Sequence, residues 1–113
     1  MSFGVMGGDM QPQGQAQIVS NIVDYGLGLQ EAGDSPRWHH DGGNEPTAEQ
    51  LGDPGKLNLE SGVPEATKKA LAGLGWQLAP NPGVYGGYEA IWKHPGRYAA
   101  ATEMRKDGTA LAY

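Results

Sequence analysis

Apolar and polar positions along this chain change rhythm several times, and each rhythm predicts an element. Ser2-Phe3-Gly4-Val5-Met6 reads as a short buried strand that ends in Gly7-Gly8-Asp9, where paired glycines permit positive φ and close backbone approach. From Pro12 onward, Ile18, Val19, Ile22 and Val23 make one apolar helical stripe, with Gln17, Ser20, Asn21 and Asp24 on the opposite side. Gly26 is the expected C-terminal stop. A second short helix is expected over about 29–32, ended by Gly33 and Pro36 before Arg37-Trp38-His39-His40. The stretch from His39 to Gly55 is mostly polar and rich in Gly, Pro and acidic residues, so it reads as a surface excursion.

Beyond it, Lys56-Leu57-Asn58-Leu59-Glu60 alternates with period two, as a half-buried strand does. A helix is expected to start within Ser61 to Pro64, where Pro suits a first turn, with Val63, Thr67, Ala70, Leu71 and Leu74 at helical spacing until Gly75. Trp76 to Ala79 reads as a strand, followed by the turn Pro80-Asn81-Pro82-Gly83. Gly87 to Lys93 places Tyr88, Ala90 and Trp92 on one face, and Tyr98 to Thr102 pairs with it as a hairpin across His94-Pro95-Gly96. This alternation predicts an α+β fold, with helices layered on one side of a mostly antiparallel sheet.

Composition narrows the picture. A chain of 113 residues is one domain at most. Leu, Ile, Val and Phe supply only 18 of them, below the roughly 20% that marks robust cores. The 19 Gly and 8 Pro are spread among patterned segments, which points to a loop-rich folded unit that needs a neighbouring surface. The net charge of -5 and the scattered Lys and Arg speak against nucleic-acid binding. No cysteine is present, which removes disulfides, thiolate zinc sites and a Cys nucleophile and leaves the compartment open. The start lacks the pattern of a signal peptide, so the signal of an exported protein would lie upstream, and no segment approaches the ~20 apolar residues of a membrane span.

Three groups invite chemistry. His39-His40-Asp41 carries metal-ligand types, but adjacent histidines point apart and only His94 is left to complete a set, so no metal or cofactor is expected. Arg37 could bind a substrate carboxylate, although pairing with Asp34 or capping helix carbonyls is the favoured role. Tyr85, Tyr88 and Trp92 lack basic companions and are expected to pack over the sheet. A Gly-Gly pair such as Gly7-Gly8 is by itself an ordinary turn.

The blocks Phe3-Gly4-Val5-Met6-Gly7-Gly8, Met10-Gln11-Pro12-Gln13-Gly14, Asn21 to Gly26, Asp34-Ser35-Pro36-Arg37-Trp38-His39-His40, Leu59-Glu60-Ser61, Gly73-Leu74-Gly75, Tyr88 and Arg105-Lys106-Asp107-Gly108 with Tyr113 are similar, in order and spacing, to one family. Together they resemble the C-terminal part of the small catalytic subunit of γ-glutamyltransferases, members of the N-terminal nucleophile hydrolases. The resemblance implies an αββα fold and a precursor that cleaves itself to expose an N-terminal Thr, which attacks a γ-glutamyl amide such as glutathione. The acyl-enzyme is then resolved by water or an acceptor amine. It also implies that Gly7 and Gly8 form the oxyanion hole, where backbone N–H groups must point at the developing charge without an obstructing Cβ. The nucleophile and most glutamate-binding side chains would precede Met1, so no substrate-binding residue is assigned here.

This chain departs from the pattern. Its glycine block is of the Met-Gly-Gly type where true transpeptidases have Ser-Pro-Gly-Gly, which leaves the substrate open. Gln15 stands where relatives often carry His, and Thr102-Glu103-Met104-Arg105 replaces Ser-Asp-Pro-Arg. Two functions are consistent with these residues. One is a structural, oxyanion-hole-bearing segment that is inert without upstream γ-glutamyltransferase segments. The other is a free-standing relic begun at Met1 that persists as a homo-oligomeric or partner-binding module, its thin core covered by association.

Overall fold

The computed structural model describes residues 1–42, 55–79, 83 and 85–111. Most of the expected polar excursion, the Pro80-Asn81-Pro82 turn and Tyr113 lie outside the described residues. In chain order the elements are β1 (Ser2–Met6), α1 (Met10–Val23), α2 (Leu29–Asp34), β2 (Trp38–Asp41), β3 (Lys56–Leu59), α3 (Glu65–Gly73), β4 (Leu78–Ala79), β5 (Gly87–His94) and β6 (Arg97–Thr102). They form two units, one of Met1–Ser35 with Tyr85–Tyr113 and one of Pro36–Val84.

The first unit is a three-stranded antiparallel sheet in the order β1-β5-β6, with α1 and α2 packed on it. The β5–β6 hairpin forms as expected, and Gly96 takes the left-handed turn position at φ 74°. Register explains the core. Phe3 pairs with Ala90, Val5 with Tyr88 and Ala90 with Ala101, so these residues share one face. Val5, Tyr88, Ala90 and Ala101 meet Ile18 of α1 there, with Phe3, Ile22 and Leu29 packed at the margin. Full burial of Val5 or Ile18 stabilises the unit by about 1.5–3 kcal/mol each.

Helix α1 corrects the expected stripe. Its buried side is Met10, Gly14 and Ile18, whereas Val19 and Val23 are exposed. Glycine at position 14 is what lets the helix approach so closely, because a Cβ there would lie 2.6 Å from Val5 Cγ1. The helix also begins at Met10, two residues before Pro12. Proline is accommodated because first-turn N–H groups have no intrahelical partner. Helix α2 likewise runs past Gly33 to Asp34, since Gly33 is needed where the helix crosses the Tyr88 ring.

In the second unit, β3 pairs antiparallel with β2 and parallel with β4. Trp38–Asp41 is thus a strand, although its polar sequence reads as loop. Leu57 and Asn58 are both buried, which breaks the expected alternation; Asn58 is satisfied by donating Nδ2–H to the His39 carbonyl at 3.2 Å. No residue of α3 is buried, and Leu74 is exposed just past its end. The stripe read from Val63 to Leu74 therefore does not carry a core within the described residues.

Candidate functional site

The sequence places its most specific feature where β1 leaves the sheet, and the structure builds a turn there with both glycines in positive-φ backbone, Gly7 at 129° and Gly8 at 57°. Their carbonyls are consumed by the start of α1. Met10 N donates to Gly7 O at 3.1 Å and Gln11 N to Gly8 O at 3.0 Å. Among the described residues no hydrogen bond uses the Gly7 or Gly8 N–H, and both residues are exposed. Because a trans peptide holds C=O and N–H on opposite sides, tying the Gly7 carbonyl to Met10 turns the Gly8 N–H away from the helix and outward.

The helix end beside this turn is left open. Asp9 occupies the N-cap without a side-chain capping bond, so no side chain of the cap takes up the first-turn N–H groups of α1. The Gly8 N–H thus stands outward beside a helix N-terminus, the kind of position at which backbone amides meet anions. Beneath the turn lies Met10, fully buried and close to Gly7, Gly14 and Gly86. Gly87 opens β5, the strand beside β1, and pairs there with Met6, and Gly86 directly precedes it.

The other sequence candidates sit elsewhere. His39 and His40 lie on β2, where His40 packs edge-on against Trp76 at 5.8 Å, while His94 stacks on Trp92 at 5.9 Å. Among the described residues no group of three or more His, Cys, Asp or Glu could hold a metal ion. Gln15 is exposed on α1. Tyr85 and Tyr88 are buried, and Tyr88 donates its hydroxyl to Leu29 O at 3.1 Å. Arg37 is buried and its backbone is tied in both directions to Glu60, by Arg37 N to Glu60 Oε2 at 2.7 Å and Glu60 N to Arg37 O at 3.0 Å. Asp34, the carboxylate expected beside it, accepts from Gln30 Nε2 at 3.1 Å.

Helix carbonyls are capped by Arg105, which the sequence did not single out for this role. Its guanidinium reaches the end of α2, donating to Gly33 O at 2.9 Å and Ser35 O at 3.0 Å, and pairs with Glu103 at 2.6 Å. The Glu103-x-Arg105 spacing was visible, but its target lies some 70 residues upstream.

Helices layered on one face of an antiparallel sheet, with a glycine turn at a strand–helix junction, form an α+β scaffold that a solved acylase structure shares. A cephalosporin acylase from Bacillus halodurans superposes with a TM-score of 0.79 and 35% identity, over 98% of this chain and 19% of that one. The sequence profile described as gamma-glutamyltranspeptidase matches residues 1–113, and the chain belongs to that family. Among curated relatives, the acylase ACY 1 proenzyme of Pseudomonas sp. (strain SE83) is 35% identical over 97 residues, 85% of this chain. The oxamate amidohydrolase proenzyme of Klebsiella pneumoniae is 36% identical over 117 residues, 100% of this chain. The chain spans 15% and 21% of the length of these two relatives.

Proposed function

We propose that this chain supplies the oxyanion-binding turn of a γ-glutamyltransferase-like amide hydrolase or transferase, and that its Thr nucleophile comes from polypeptide not included in these residues. The observation that carries this is the Gly7-Gly8 turn, with both carbonyls anchored in α1 and both N–H groups uncommitted among the described residues. Attack by a Thr hydroxyl forms the O–C bond of a tetrahedral adduct, with the α-amino group taking the proton and passing it to the leaving amine as the C–N bond breaks. Water or an acceptor amine then resolves the acyl ester. The oxyanion charge lasts only through the adduct, so donors fixed beforehand act on the transition state; one such donor is worth about 10²–10³ in kcat.

The substrate is an amide, with γ-glutamyl amides the first class to test. The names of the relatives, an acylase and an oxamate amidohydrolase, support widening the panel to N-acyl amines and oxamate. Both are called proenzymes, which agrees with self-cleavage that exposes the nucleophile. The 15–21% coverage of their length supports dependence on further segments.

Native mass spectrometry of the protein from its own cells tests this. A complex with a polypeptide bearing an N-terminal Thr, together with an isolated chain that does not turn over a γ-glutamyl anilide, is the expected result. Turnover by the isolated chain, or a lone chain in cells, overturns it. The second reading, an inactive oligomeric module, is favoured by the exposed side chains of Met6, Ile91 and Tyr98 on the sheet unit. A homo-oligomer with no Thr-bearing partner is its signature.

A further inference from the structure

We infer that Gly86 is a positioning residue for the Gly7 N–H, acting through the peptide unit that joins Met6 to Gly7. The inference rests on the proposed role of the turn, but its geometry stands apart from any activity. The two donors of the turn are held by different means. The Gly8 N–H is set by its peptide's carbonyl, which accepts from Met10 N. The Gly7 N–H shares a rigid plane with the carbonyl of Met6, so whatever fixes Met6 O fixes the direction of that donor.

What borders Met6 O is the backbone of Gly86. Met6 is the last residue of β1 and pairs with Gly87, which brings Gly86 alongside the point where the chain leaves the sheet. Gly86 is buried and left-handed at φ 75°. A Cβ on it would collide with Met6 O, lie 2.7 Å from Val5 Cγ1 and 3.5 Å from Met10 Cγ. From the other side, a Cβ on Gly7 would lie 3.0 Å from Gly86 Cα. The turn and the Tyr85–Gly87 segment thus touch backbone to backbone.

Of the two side chains that a Cβ would meet, Val5 is in the sheet core and cannot yield cheaply, while Met10 Cγ stands at ordinary contact distance; the group left to respond is the Met6–Gly7 peptide, which borders the exposed turn. Rotating that plane to move its carbonyl from a Cβ swings the Gly7 N–H with it. Position 86 presents no side chain to a reacting group, so its influence on the donor is indirect.

The test is NMR on the 15N-labelled 113-residue chain, reading the residual dipolar coupling of the Gly7 N–H. Gly86→Ala is expected to change that coupling while leaving those of Ile18 and Ala101 in place. Gly96→Ala is the control, because Gly96 is equally left-handed at φ 74° but a Cβ there meets nothing within 4 Å. It imposes similar backbone strain without touching the turn. Should Gly86→Ala fail to fold, Gly86→Asn carries the same Cβ on a residue that tolerates left-handed backbone far better.

An unchanged Gly7 coupling in either folded variant overturns the inference, as does an equal change in Gly96→Ala. In an assembly that turns over a γ-glutamyl anilide, Gly86→Ala is expected to lower kcat by about 100-fold with KM within a few fold, the pattern of a lost transition-state donor. A swung N–H with unchanged kcat leaves the positioning role standing and removes Gly7 from the chemistry.

Discussion

Replacing Arg105 with Ala tests how the end of the sheet unit is closed. The guanidinium makes three charge-assisted contacts, to Glu103 Oε2, Gly33 O and Ser35 O, at 2.6, 2.9 and 3.0 Å. The Glu103 side chain is 1% exposed and that of Arg105 15%. Truncation removes the Arg105 charge from a buried carboxylate and the Arg105 donors from the Gly33 and Ser35 carbonyls. Breaking a buried pair from one side costs about 3–5 kcal/mol. At roughly 0.05–0.15 kcal/mol per residue, the whole chain has about 6–17 kcal/mol to lose, so the variant should fold with a much lower urea midpoint. Urea titration followed by tryptophan fluorescence reads this directly. Lys68→Ala is the matched control, because Lys68 and Glu65 form an exposed i,i+3 pair worth about 0.5 kcal/mol. Removing both Glu103 and Arg105 should cost less than the sum of the single changes, since their mutual contact is then lost only once. A loss under about 1 kcal/mol for Arg105→Ala, or one equal to that of Lys68→Ala, refutes the clamp.

Glycine spacing on α1 gives a second prediction: Gly14→Ala should destabilise by about 1–3 kcal/mol through overpacking against Val5, despite its better helix propensity. Gly73→Ala at the open end of α3 should be neutral or stabilising by about 0.5 kcal/mol, with both read by thermal unfolding. Tyr88→Phe removes the hydroxyl bond to Leu29 O and should cost about 1 kcal/mol in urea, with the sheet retained by circular dichroism. Ile18→Ala should cost about 2–5 kcal/mol, whereas Val23→Lys should stay within about 0.5 kcal/mol. Equal losses at the two positions would restore the stripe read from the sequence.

Local pattern made the hairpin and the β1 strand legible, because their period of two and their turn residues are properties of adjacent positions. It located α1 but chose its face wrongly in part. Ile18–Ile22 and Val19–Val23 are neighbouring rows about 100° apart on a helix, and hydropathy does not rank them. What ranks them is Gly14, one turn before Ile18, which carries no apolar side chain and yet marks the row that touches Val5. The β2 strand was hidden because its side chains are polar and its pairing with Lys56–Leu59 crosses a long insertion. The Arg105 clamp was hidden for the same kind of reason, its acceptors being backbone carbonyls of distant residues.

The candidate site divides along the same line. A Gly-Gly pair announces positive-φ backbone, and that was legible. The direction of its N–H groups is not a property of the pair, because each amide is steered by the carbonyl of its own peptide unit. One of those carbonyls is held locally, by Met10 N three residues on. The other borders Gly86, nearly 80 positions away in the chain. The proposed oxyanion-binding turn would therefore depend on a glycine in its wall as well as on the glycines it displays. For this chain, that distant glycine is the position at which donor geometry can be altered without placing a side chain in the site.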